Sequence, residues 1–245
     1  MRPLTTAELL LVWETGLQQS PLERSLHLLG KACAIADVNE VASMSIGERD
    51  ARLLQLRGWM FGRQLLNVAH CPRCNERVEW ESRVDELQLQ PLPEQGGRPL
   101  QLEQEGYRVR FRLPDSHDMH RLLHDPVLRA QHRQILLSCI LETWLEERQL
   151  AAEELPSHIL DMVQQRMSEE DPQADISLLL DCPACKHQWE AVFDIGTYVW
   201  TEIHQWSLHL LQEVGLLAKA FSWSEQDILN MSARRRQLYI EMAGA

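Results

Sequence analysis

Near the start of the chain, apolar and polar positions alternate with the spacing of helices. In three places a hydroxyl residue precedes a glutamate by three positions, as in a helix capping box: Thr5 before Glu8, Ser20 before Glu23 and Ser45 before Glu48. One apolar stripe follows a single helix face at Leu22, Leu26, Leu29 and Cys33. The pattern predicts three short amphipathic helices over residues 1–65.

Strand-like alternation replaces the helical pattern after residue 67. In NERVEWESRV the charges fall on one side and the apolar residues on the other, at Val78, Trp80 and Val84. GYRVRFRLP repeats this alternation at Tyr107, Val109 and Phe111. Between the two stretches, QPLPEQGGRP is rich in proline and glycine and is therefore predicted to be a loop.

Helical signals return in the second half of the chain. Asp115 or Ser116 can cap a helix that begins at HDMHRLL. Residues 127–170 are predicted to be helical, with breaks near Pro156 and Pro172. ADISLLLDCPACKHQWEAVFDI then interrupts the helices and is predicted to form a strand, a turn and a second strand.

The C-terminal region, residues 196–245, is predicted to be helical throughout. Its first and longest helix has a core-facing stripe at Val199, Ile203, Trp206, Leu210, Val214 and Leu217. A break at residues 222–224 precedes a short helix, EQDILNM, and Ser232 can cap a last one.

Two Cys-x-x-Cys turns carry the specific chemical signal of the sequence. The first, CPRC, holds Cys71 and Cys74, and the second, CPAC, holds Cys182 and Cys185. Each turn lets two sulfurs reach one metal ion, and two turns supply the four thiolates that suit tetrahedral zinc. Both lie between strand-like segments, as in a zinc ribbon built from two hairpins. Because four thiolates leave no coordination position for water, we expect one structural zinc ion.

Other roles for these cysteines remain open at this point. Each pair has the spacing of a redox dithiol, although a thioredoxin-like turn requires a βαβ context that the pattern lacks. The pairs can also be empty. His70 and His187 flank the turns as substitute ligands, but roles outside the ligand shell are favoured. Cys33 and Cys139 are predicted to be buried thiols in helical surroundings.

The segments after the two turns resemble each other. WESRVD follows the first turn and WEAVFD the second, with two extra residues in the first half, so Trp80 and Trp189 are predicted to occupy related places. We interpret this as an internal pseudo-repeat whose halves close on one metal ion. Residues from about 115 to 170 then form an insertion that leaves and returns.

The predicted fold class is mainly α with a small β zinc ribbon (α+β), in which two hairpins join on one zinc and helical arms lie on either side. The segments interleave as one domain. In order they are a helical region 1–67, the first ribbon half 68–90, a loop and strand 91–114, a helical insertion 115–172, the second ribbon half 173–195 and a helical region 196–245.

Composition narrows the class of function. The chain has 245 residues, of which 44% are hydrophobic, and a net charge of -12. An acidic surface repels phosphate backbones, which disfavours broad nucleic-acid binding. No signal peptide or membrane span is visible, so we expect a cytoplasmic protein whose thiols stay reduced. Reduced thiols favour metal ligation over disulfides.

Two charged clusters are further candidate functional sites. His117, His120 and His124 share one helix face, but nothing else converges there, so a solvated face is favoured over a metal or general-base site. Residues 234–236 are three arginines after a helix–turn–helix-like stretch, and the net charge favours a protein partner or the chain's own acidic body over DNA. No catalytic motif is present, so we expect no enzyme.

Several stretches together resemble a known family. They include LTTAELLLVWE, SPLERSLHLL, SIGERDARLLQLR, both CPxC turns and the ending SWSEQDILNMSARRRQLYIEM. They are similar to the baseplate hub assembly chaperones related to T-even phage baseplate proteins, whose genes also accompany contractile injection systems. The resemblance implies a non-enzymatic role in assembling the hub and spike of a contractile tail, with or without retention in the particle.

That resemblance implies a hub, spike or tape-measure protein as partner. A helix-in-groove mode predicts docking between the long helix and the segment after it. The candidate partner-binding residues are Trp223, Ile228, Leu229, Arg234, Arg235 and Tyr239. Alternatively, the apolar members pack only on the long helix. The alternative function is a zinc-ribbon module that acts on nucleic acid or as a transcription-associated regulator.

Overall fold

The computed structural model describes residues 1–89, 91, 98–125 and 132–244. Most of the predicted loop QPLPEQGGRP and the start of the predicted helical stretch 127–170 lie outside these ranges. Within them the fold is α+β, with more than half of the residues in helices and the strands arranged in small antiparallel sheets. No helix in the described part of the chain combines the length and apolar character that a membrane crossing needs.

The N-terminal region consists of helices packed on one core. The three predicted helices are confirmed, with the caps at Thr5, Ser20 and Ser45 each accepting the expected amide, and a fourth short helix begins after Asp37. The bounds are α1 Thr6–Gly16, α2 Pro21–Cys33, α3 Val38–Ala42 and α4 Ile46–Phe61. Cys33 is half-buried rather than buried, because it ends α2 at the edge of the core.

The strands form three antiparallel sheets within the described ranges. Two are hairpins: β1 Gln64–His70 with β2 Arg77–Arg83, and β7 Ser177–Asp181 with β8 Gln188–Val192. The third is a four-stranded meander: β3 Leu100–Gln104, β4 Tyr107–Phe111, β5 Ile140–Leu145 and β6 Arg148–Leu150. The short helix α5, Val84–Leu87, follows β2, so Val84 begins a helix and does not extend the strand.

The prediction of a wholly helical insertion is wrong. Strands β5 and β6 lie within residues 127–170 and add to the β3–β4 hairpin. Helices α6 Ser116–His124, α7 His132–Cys139 and α8 Ser157–Glu170 flank them. This unit has its own core, in which Val109, Phe111 and Cys139 are fully buried with residues of α8, so the predicted burial of Cys139 is confirmed.

The long helix α9, Ile195–Phe221, connects the core of the N-terminal helices with a separate C-terminal core. Val199 and Ile203 pack with α1, α2 and α4, whereas Leu210, Val214 and Leu217 pack with α10, Glu225–Leu229, and α11, Ala233–Ala243. The half-buried Trp206 contacts both groups. The predicted stripe therefore serves two cores in succession, since the helix is about 40 Å long.

Candidate metal centre

The first Cys-x-x-Cys turn is closed by backbone hydrogen bonds between β1 and β2. The amide of Cys71 donates to the carbonyl of Glu76 (2.9 Å), and the amide of Asn75 donates to the carbonyl of Cys71 (2.8 Å). Asn75 has a φ of 60°, a left-handed conformation that asparagine tolerates better than most residues. The turn therefore holds both sulfurs at the tip of the hairpin.

The second turn repeats this geometry between β7 and β8. The amide of Cys182 donates to the carbonyl of His187 (2.9 Å), and the amide of Lys186 donates to the carbonyl of Cys182 (3.0 Å). Lys186 has a φ of 59°, the same left-handed conformation as Asn75, although lysine lacks the short polar side chain that makes this conformation easier for asparagine. The matching bonds agree with the interpretation of the two halves as a pseudo-repeat.

The tryptophans of the two halves do not occupy equivalent positions. Trp80 is paired with Asn67, well past the turn, whereas Trp189 is paired with Leu180 next to it. The two extra residues in the first half cause this displacement. Because the shift is even, both side chains stay on the corresponding face of their hairpins.

The four cysteines converge although more than a hundred residues separate the two pairs. Their sulfurs all lie within 4.8 Å of one another, with Cys71 to Cys185 at 3.7 Å and Cys74 to Cys182 at 3.5 Å. A tetrahedral zinc ion with Zn–S bonds of about 2.3 Å separates its sulfurs by about 3.8 Å. All four are free thiols. The donor set and its spacing therefore fit one tetrahedral metal ion.

Local electrostatics also fit a cation at the centre of the cluster. The amide of Cys185 donates to the sulfur of Cys182 (3.5 Å). Together with the amide of Ala184 and the neighbouring thiols, it outweighs the effect of burial and lowers the pKa of Cys182 to about 7. The amide of Glu76 acts to lower the pKa of Cys74, but the thiol of Cys185, burial and the other two thiols of the cluster outweigh it and raise that pKa to about 12. Four thiolates at this distance repel one another unless a cation neutralises them.

The histidines that the sequence offered lie elsewhere. Among the described residues, the group that can hold a metal consists of the four cysteines alone. His187 stacks on Trp189, with ring centroids 6.3 Å apart. On α6, His120 and His124 stack on each other at 4.1 Å, and both are exposed together with His117.

The predicted partner-binding residues are mostly packed within the C-terminal region. Ile228 is fully buried against α9, with Leu229 and an aromatic cluster of Phe221, Trp223 and Tyr239 beside it. Of the six candidates only Arg234 and Arg235 are exposed. Arg236 is buried, so the apparent three-arginine cluster presents two guanidinium groups to solvent. Partner binding at these residues stays a prediction.

The groove that lies beside the two hairpins of the cysteine cluster was not predicted from the sequence. It has a volume of about 1000 Å³ and lies between the two hairpins and the start of α9. Apolar side chains that the hairpins leave exposed or half-buried line it: Leu66, Val68, Leu178, Val192 and Phe193. The available signal was QLLNV in β1, where apolar residues stand on both sides of the strand although only one side reaches the core.

These features define an α+β protein whose two β-hairpins meet at a four-cysteine cluster. Residues 2–197 match the family described as T4 bacteriophage base plate protein, so the chain belongs to that family. The match includes both cysteine turns and ends near the start of α9, before the predicted partner-binding residues. No curated protein and no solved structure matches the chain.

Proposed function

We propose that the chain is a non-enzymatic assembly factor, or a minor component, for the hub and spike of a contractile phage-like baseplate, and that one structural zinc ion stabilises it. Family membership supports a baseplate role. The convergence of Cys71, Cys74, Cys182 and Cys185 is the observation that carries the proposal of zinc.

A metal at this place acts on the architecture of the molecule. It closes a loop from residue 71 to residue 185 and fixes both hairpins beside the start of α9. Structural zinc contributes about 10–16 kcal/mol of binding free energy, whereas a whole domain is stable by only about 5–15 kcal/mol. The binding free energy of the ion is therefore as large as the stability of a whole domain, and its loss should separate the two hairpins.

Metal content tests the zinc part of the proposal. Protein purified under reducing conditions without chelator should contain one zinc per chain by elemental analysis. Cys71→Ser and Cys185→Ser should lose the zinc, whereas Cys33→Ser, which changes a cysteine outside the cluster, should keep it. Full zinc content in both cluster variants would exclude this site.

Co-purification tests the assembly part. Expressed with the hub, spike and tape-measure proteins of its own operon, the tagged chain should retain at least one of them. A strain that lacks the chain should produce fewer complete particles, and the wild-type gene supplied in trans should restore them. Normal particles in that strain, with no complex recovered, would contradict an assembly role.

A further inference from the structure

Within the described residues, strand β1 pairs with β2 on one edge and with no strand on the other. In an antiparallel pair, residues alternate between those that bond to the partner and those whose backbone groups point away from it. Val84 donates to the carbonyl of Arg63 (2.9 Å) and Cys71 to that of Glu76 (2.9 Å), which fixes the odd-numbered residues of β1 as those bonded to β2. The even-numbered residues therefore point their amides and carbonyls outward.

Side chains occupy the first part of this open edge. The carbonyl of Gln64 accepts a hydrogen bond from Arg57 (2.6 Å). The hydroxyl of Tyr198 accepts from the amide of Leu66 (3.0 Å) and donates to its carbonyl (3.1 Å), as a neighbouring strand would. Among the described residues, nothing bonds to the outward groups of Val68 and His70. The edge is thus open next to the cysteine turn.

The apolar groove lies along this edge. Leu66, Val68 and Val192 line it with 68%, 49% and 73% of their surface exposed. Unpaired strand edges beside exposed apolar side chains are sites where other chains add a strand, and natural proteins usually protect them. In β1 the hydroxyl of Tyr198 covers the backbone groups of Leu66, and the edge beyond Leu66 is left uncovered by the described residues.

The charges in the groove determine which kind of segment fits. Arg57 is engaged by Glu202 through two bonds of 2.7 Å and 2.6 Å, so this pair is neutral. Glu81 and Asp194 also line the groove, and within the described part of the chain neither forms an ion pair. The groove is therefore acidic as well as apolar.

We propose that this groove binds an extended segment of a partner protein, with lysine or arginine beside apolar residues, as an added strand on β1. The outward groups of Val68 and His70 supply the backbone hydrogen bonds, and Leu66 and Val192 contact alternate apolar side chains. Glu81 and Asp194 attract the basic residues. The inference rests on the proposed function in one respect only: that function identifies a baseplate protein as the partner that supplies the segment.

Binding of a synthetic peptide to the full-length, zinc-loaded protein tests the strand addition. The probe is a capped peptide with valine and lysine at alternating positions, titrated by calorimetry. Val68→Pro removes an outward amide and leaves the bonds to β2 in place, because proline is tolerated where a strand's amide faces solvent. It should weaken binding about 10-fold or more. The matched control is Leu179→Pro, which removes an outward amide on β7 away from the groove and should bind as the wild type does.

Charge is tested separately, which keeps the proposal falsifiable if Val68→Pro misfolds. Glu81→Gln should weaken binding by about 3-fold at low salt, since one solvent-exposed charge pair contributes only modestly to binding. Glu147→Gln, with the same charge change in the β5–β6 turn, should not. A peptide with glutamate in place of lysine should not bind measurably.

Any of three binding results would overturn the inference: no saturable binding of the peptide, equal binding by the wild type and a folded Val68→Pro, or equal binding of the acidic peptide. Concentration-dependent dimerisation that Val68→Pro abolishes would also overturn it, by assigning the edge to a second copy. Peptide binding without any baseplate complex would remove the proposed function and leave the groove assignment intact.

Discussion

At the scale of single residues, Gly47 joins two parts of the fold. Its amide donates to Oδ2 of Asp171 (2.9 Å) at the N-terminus of α4, where a carboxylate also suits the helix dipole. A Cβ atom on Gly47 would lie 1.9 Å from Oδ1 of Asp171 and 2.9 Å from the amide nitrogen of Ala174. Only glycine lets the chain after α8 approach α4 this closely.

Gly47→Ala should therefore lower the free energy of unfolding by about 2–4 kcal/mol, through overpacking and the loss of a buried hydrogen bond. Gly215→Ala is the matched control. It lies in α9, where an added Cβ meets nothing within 4 Å, so alanine should stabilise the helix by about 1 kcal/mol. Urea unfolding of both variants measures the difference, and equal effects would contradict the role of the close contact.

Arg236 connects α11 to α9 in the C-terminal region. Its side chain is buried, with Nε donating to Glu213 (2.8 Å) and Nη1 to the carbonyl of Met231 (2.8 Å). Arg236→Ala leaves Glu213 without this partner and should destabilise the packing of α11 on α9 by about 3–5 kcal/mol. Arg234→Ala, two positions away and exposed, should have an effect below about 0.5 kcal/mol. Hydrogen exchange of the α11 amides measures this difference between the two variants. Unchanged protection of α11 in Arg236→Ala would contradict the stabilising role of Arg236.

At the scale of elements, Asp118 fixes α6 against its neighbours. The carboxylate accepts hydrogen bonds from Arg112 (2.6 and 2.9 Å), Arg121 and the amide of Asp115 (3.0 Å). Burial acts to raise the pKa of Asp118, but Arg112, the Asp115 amide and Arg121 outweigh it and hold the pKa well below its ordinary value. One carboxylate thus connects α6 to the chain after β4.

Asp118→Asn should lower the free energy of unfolding by about 3–5 kcal/mol near neutral pH, because Arg112 and Arg121 lose the buried carboxylate charge of Asp118. Since the folded-state pKa is depressed, the contribution of Asp118 is present above the ordinary aspartate pKa and is lost as the pH falls toward the folded-state pKa. The gap between wild type and variant should accordingly narrow in acid. Asp161→Asn, exposed on α8, is the control for charge, and a gap independent of pH would contradict the assignment.

Elements with local signals could be predicted from the sequence, and those without them could not. Thr5, Ser20, Ser45 and Ser232 cap their helices because a cap depends on a few neighbouring residues. The β5–β6 hairpin was missed because its turn places Glu146 at a φ of 53° without the usual glycine or asparagine. The groove was missed because an open strand edge depends on register, which only the folded pairing reveals.

At the scale of the whole molecule, the cysteine cluster and the hydrophobic cores stabilise different parts of the chain. The core of the N-terminal helices and the C-terminal core share α9, whereas the meander β3–β6 packs with α8 on a core of its own. The cysteine cluster joins the two hairpins on either side of this insertion. Loss of the proposed metal should therefore lower the stability of the two hairpins more than that of the meander.

Chelation of the reduced, zinc-loaded protein tests this division. Amide exchange should become much faster in β1, β2, β7 and β8, because the proposed metal would contribute about 10–16 kcal/mol of binding free energy to the junction of the two turns. Strands β4 and β5 should keep most of their protection, since Val109 and Phe111 stay buried in a separate core. Cys185→Ser should show the same pattern without chelator, and Cys33→Ser should match the wild type in both states. Uniform loss of protection along the chain would show that the cores depend on one another, and no change at the hairpins would exclude a structural metal.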